Sequence, residues 1–234
     1  MEQSNETVDL FNLISKKSSL KNKVFNNTLN AFGLIKDSVS GLQEGYNSFQ
    51  DKSDSNPTTS FDIKTRGKFE LDLKFGGDVL LFVMHTNVFE FSRHHEVMRT
   101  PYIKEDNDRS YCGIINIYNF IADSFKFNRV NDIGYLIGRI FINKENHYFI
   151  EGKRELGFIY NNFGRNEINS NSVETIIKTT IEYTVNFDLL TPHYDLVKYV
   201  SVSDMKSTLD SISLKTGKRL GYKFQADNSG EELP

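Results

Sequence analysis

Apolar side chains recur at helical spacing over residues 8–49, and the series Phe25, Phe32, Ile35, Val39, Leu42, Tyr46, Phe49 alternates steps of three and four from Phe32 onward. This short heptad register predicts an amphipathic helix. Asn5 or Thr7 can cap its start, and the polar run 51–57, ending in Pro57, can stop it. An unbroken helix over 8–49 would be ~60 Å long, whereas a compact globule of this size has a radius of gyration of ~17 Å. The expectation is therefore a break near Ser18-Ser19 or Asn26-Asn27, where propensity is poor, or an arm that leaves the body.

From Gly67 the period changes to two. Alternation over 68–75, a turn at Gly76-Gly77-Asp78 and a β-rich return over 79–91 predict a hairpin. The polar stretch 92–110 is long enough to expect a functional or mobile loop. Ile114, Ile115, Ile117, Tyr118, Ile121, Ala122 and Phe125 then predict a helix, with a strand as the competitor because isoleucine is β-branched. Residues 135–142 and 147–151 flank the turn Asn143-Lys144-Glu145-Asn146 and predict a second hairpin.

Over 173–187 every second residue is apolar or β-branched, which predicts a long strand with one wet face. A strand over 196–202, a short helix over 203–209 and a last hairpin about Thr216-Gly217 complete the pattern. The fold expected is α+β: an N-terminal amphipathic helix or helical hairpin, then a mainly antiparallel sheet with one packed helix. Residues 1–57 form the helical segment and polar linker, 58–225 the body, and 226–234 a flexible acidic tail. Two strands, a helix and a run of antiparallel strands also resemble the element order of PAS-like sensor domains. That resemblance implies a small-ligand pocket between the sheet and the helix at 113–125.

Composition adds limits. The net charge of -3 supplies no global field for nucleic acid or an anionic membrane. Basic residues with nearby aromatics occur at Lys64, Arg66, Lys68 and Lys74, and at Lys215, Lys218, Arg219 and Lys223, but both sets read as polar faces of hairpins. The N-terminus lacks the pattern of a signal peptide, no apolar run reaches ~18 residues, and Cys112 is the only cysteine, so a reducing cytoplasm is the expected setting. Three alanines, no tryptophan and abundant Asn, Lys and Ile are what AT-rich codons produce, as in an AT-rich bacterium or its phage.

Candidate chemistry centres on Arg93-His94-His95-Glu96. His94, His95 and Glu96 are the candidates for acid/base work in a hydrolase or nuclease, since histidine exchanges protons near neutral pH and a carboxylate can orient it. His85, His95 and His147 are the candidates for a metal site, although the spacing matches no ligand pattern and adjacent histidines on a strand face opposite ways. Cys112 sits beside an apolar stripe and reads as core. The glycines form no phosphate-binding loop, and Gly138 inside a strand marks a bulge or a close backbone approach. No cofactor is expected. The leading expectation is a non-enzymatic binding or assembly module whose helix contacts another protein or a second copy through Phe32, Ile35, Val39, Leu42, Tyr46 and Phe49.

Overall fold

The computed structural model describes residues 5–52, 59–130, 132–152, 162–188 and 193–203. Helix α1 (Asn5–Lys52) is one continuous rod of 48 residues, ~72 Å at about 1.5 Å per residue. It breaks at neither expected place. Leu20, Val24, Ala31, Phe32, Ile35 and Val39 are all buried along one stripe. Each large one contributes roughly 1.5–3 kcal/mol, against a propensity penalty of only ~0.5 kcal/mol for a Ser or Asn. One poor helix former is itself used for docking: Asn27 Nδ2 donates to the Asn143 carbonyl at 3.0 Å, while Thr28 Oγ1 turns back within the helix and donates to the Val24 carbonyl at 2.8 Å.

The described strands form a seven-stranded antiparallel sheet. In chain order they are β1 (Phe61–Thr65), β2 (Glu70–Phe75), β3 (Asp78–Met84), β4 (Phe89–Glu90), β5 (Tyr111–Ile121), β6 (Tyr135–Asn143) and β7 (Tyr148–Gly152). Their spatial order is β1-β2-β3-β5-β6-β7, with β4 paired to β5. Both predicted hairpins are present. Gly76 takes a positive φ of 54° in the first turn, as does Asn146 at 60° in the second. β1, a strand beyond those expected, adds an edge in register with β2 from Phe61↔Phe75 to Thr65↔Leu71. The register slips by one residue between Ile117 and Tyr118, opposite Ile137 and Gly138, so the bulge lies beside the glycine that suggested it.

Two segments exchange roles relative to expectation. The expected helix over 114–125 is strand β5 up to Ile121, and only α3 (Ala122–Lys126) is helical. Its isoleucines alternate between the two faces, Ile115 and Ile117 lying in the main core and Ile114 in the opposite cluster. The expected strand over 173–187 is helix α4 (Ser170–Val185), with Val173, Ile176, Ile177, Thr180 and Thr184 buried. Asn169 and Ser172 form a reciprocal capping box at its start. α1 and α4 together cover one face of the sheet, and their apolar stripes meet Leu73, Phe82, Ile115 and Ile140 in the main core.

The opposite face carries a second, smaller core of Phe91, Val97, Ile103, Cys112, Phe141, Phe149 and Phe163. It is closed by the segment expected as a free loop. Residues Glu96–Arg99 and Asn107–Ser110 form 3-10 turns around α2 (Pro101–Glu105), and Val97 and Ile103 point inward. The expected strand over 196–202 begins as the short helix α5 (Tyr194–Val197), with His193 as its N-cap. The last hairpin, the tail 226–234, nearly all of the helix expected over 203–209 and the basic set at Lys215–Lys223 lie outside the described residues.

Candidate functional site: an exposed helical arm

The predicted contact stripe on α1 is mostly spent on the chain's own fold. Phe32, Ile35 and Val39 are buried in the main core, and Leu42 is half-buried against it, so none of these four presents a free face. Tyr46 stacks on Phe61 at 5.4 Å, and only Phe49, 67% exposed, faces outward. The physical reason is that a sheet with an uncovered apolar face outcompetes a partner in solution for the same stripe.

The exposed apolar surface of α1 lies at its other end. Leu10 (52%), Phe11 (52%), Leu13 (56%) and Ile14 (53%) are exposed, and just after them Lys17 Nζ donates to the Tyr111 hydroxyl of the body at 2.8 Å. At about 100° per residue, Leu10, Leu13 and Ile14 fall on the same side of the helix as the buried stripe from Leu20 to Val39. The apolar face therefore runs on past the edge of the sheet that covers it. Leu20 is the last of that face to be buried, and nothing in the described chain covers the five apolar positions from Val8 to Ile14.

The histidine candidates are dispersed. His94 is exposed, whereas His95 is half-buried against Phe91 and Phe149. His95 Nε2 pairs with Glu151 Oε1 at 2.9 Å, and its Nδ1 accepts from the Val97 backbone N–H at 3.3 Å. Arg139 pairs with the other oxygen of Glu151. With both ring nitrogens engaged, His95 works as a latch tying the 92–100 segment to β7. Glu96 is exposed at the head of a 3-10 turn. His85 accepts from the Asn87 N–H at 3.0 Å and meets Phe89 edge-on, while His147 stacks on Tyr102 at 5.3 Å. Among the described residues no group of three or more His, Cys, Asp or Glu side chains is arranged to hold a metal ion. Cys112 is fully buried, and burial pushes its thiol well above the ordinary range, so it stays a protonated core residue.

A denser polar network clamps α2 to the β6–β7 turn. Tyr102 donates to Glu145 Oε2 at 2.8 Å and accepts from Asn143 Nδ2 at 2.8 Å, and Arg109 Nε donates to Glu145 Oε1 at 3.0 Å. Lys144 and Asp106 pair at 2.6 Å. Burial raises the Tyr102 phenol above its ordinary range. Burial also works against the Glu145 carboxylate, but the Arg109 and Tyr102 hydrogen bonds outweigh it and hold Glu145 below its usual range. Each partner is satisfied by another member, which makes the network a structural brace.

The pocket expected beneath a helix at 113–125 has no such helix to form it. An apolar groove of about 420 Å³ lies elsewhere, between α1 and α4, lined by Gly41, Leu42, Gly45, Tyr46, Phe61 and Ile181. A Cβ at Gly41 or Gly45 would meet nothing within 4 Å, so the two glycines leave the space open.

No helix among the described residues is long and apolar enough to cross a membrane. Comparison with protein-family models, curated proteins and solved structures returns no match to this chain.

Proposed function

We propose that the protein is a non-enzymatic binding or assembly module, acting in a reducing cytoplasm, whose contact surface is the N-terminal arm of α1. One observation carries the reading: the apolar face of α1 continues past the edge of its own sheet through Leu13, Ile14 and Leu10, all more than half exposed. Contiguous exposed apolar surface of this kind marks contact sites rather than free solvent surface. Mechanically, the arm suits the role because it extends a helix already anchored by the core. The nucleation cost that makes isolated helices of ~12–15 residues marginal is met by the buried part of α1. An incoming protein then gains the apolar burial without ordering the arm.

The test is photo-cross-linking in cells that express the full chain. A photoactivatable residue at Leu13 is expected to give a protein adduct, and absence of any adduct there would overturn the reading.

A further inference from the structure

Resting on that reading, we infer that the arm's occupant is a second copy of this chain, paired antiparallel about a two-fold axis between Leu10 and Leu13. With Leu10 and Leu13 as the inward heptad positions, Glu6 and Lys17 take the inward positions one step before and after them, and Asp9 and Lys16 flank the seam. Antiparallel packing sets Leu10 of one copy against Leu13 of the other and Glu6 against Lys17. In the same alignment Asp9 lies beside Lys16. The two-fold repeats every one of these pairs, so four opposite-charge contacts bracket the leucine layers. Parallel packing instead stacks Glu6 on Glu6 and Lys17 on Lys17, and brings Lys16 alongside Lys21.

The body selects the same orientation independently. From Leu20 to Val39 the face that carries Leu10 and Leu13 is covered by the chain's own sheet. Two parallel helices joined at that face would require both sheets to occupy one space. Antiparallel arms put the two bodies at opposite ends of the seam, and each helix start then points at the Lys17–Tyr111 edge of the other copy. Lys17 stands 4.3 Å over the Tyr111 ring there, held at the margin of the seam. Two heptads bury less than the roughly 1,200 Å² of a standard interface, so a dissociation constant on the order of micromolar is expected.

Sedimentation velocity of the purified full chain across concentrations bracketing about 10 µM tests this. A dimer that fills with concentration is expected for the parent, and a monomer throughout for Leu10→Glu combined with Leu13→Glu, with unchanged helical circular dichroism. Asp9→Lys, which sets two like-charge contacts against each other, is expected to weaken the dimer about tenfold. Adding Lys16→Glu to Asp9→Lys is expected to restore it. A parent that stays monomeric overturns the pairing, as does a charge swap that fails to restore an Asp9→Lys loss. If the purified chain is monomeric while Leu13 still cross-links to a different protein in cells, the two-fold pairing fails and the arm remains a contact surface. If neither occurs, both fail.

Discussion

On β2, Asp72 is 6% exposed and lies on the face turned away from α1 and α4. Its Oδ2 meets Arg66 Nε at 2.8 Å, while the buried Oδ1 has no hydrogen-bond partner among the described residues. Burial raises its pKa, with Arg66 opposing. The folded state therefore holds this proton more tightly than the unfolded chain, whose Asp titrates near ~3.9. Stability falls as pH rises from that value through the raised folded one, and the full cost is present above it. Asp72→Asn is expected to flatten this part of the profile and to raise stability at neutral pH. The lost pair with the half-exposed Arg66 offsets little of the gain. Urea denaturation of parent and variant across the acid-to-neutral range checks the sign.

Gly113 shows the same scale in backbone terms. A Cβ there would sit 2.0 Å from Thr28 Oγ1 and 2.8 Å from Thr28 Cβ, so α1 lies directly on β5 at this crossing. Gly113→Ala is expected to cost ~1–3 kcal/mol, and Thr28→Gly in the same chain to recover part of that loss. A double-mutant cycle by denaturant unfolding measures the coupling, and strict additivity would count against the close crossing.

At the scale of elements, legibility followed how many physical signals agreed. Both hairpins were readable because alternation and turn chemistry coincided at Gly76-Gly77 and at Asn143 to Asn146. β5 and α4 were misread in opposite senses, since a run of β-branched residues satisfies either period. In α4 the odd positions from Val173 to Phe187 are all apolar, Thr or Tyr, so alternation held while Ile176 and Thr180, both buried, marked the helical face. The Asn169–Ser172 capping box was the deciding local signal. The Arg139–Glu151 pair follows from the β6–β7 register, but His95 reaches Glu151 from a turn whose path no periodicity encodes.

Glu145 and Asp106 are both held below the ordinary carboxylate range, Asp106 chiefly by its hydrogen bond to Lys144. Their contribution is present above the unfolded carboxylate values near ~4 and is lost as pH falls through the lowered folded ones. Glu145→Gln is expected to reduce stability by ~1 kcal/mol at pH 7, since one charge-assisted bond weakens, and by less in acid. Hydrogen exchange of amides 100–110 is expected to speed up in the variant at pH 7.

For the whole molecule, helix length carried more information than helix pattern. A rod too long for the body had to break or leave it, and packing of Leu20 through Val39 on the sheet leaves the N-terminal turns outside. Which stripe was free could not be read from register alone, because the buried and the exposed stretches share one face and differ only in whether the sheet reaches them.

The most direct measurement of the arm as a contact surface is a photo-cross-linking scan of the full chain in cells, one position at a time along α1. Adducts are expected at Leu10 and Leu13, on the face that continues the buried stripe, and not at Asn12 or Ser19 on the opposite side. Adducts at neither pair, or at both pairs equally, would contradict a defined contact face on the arm.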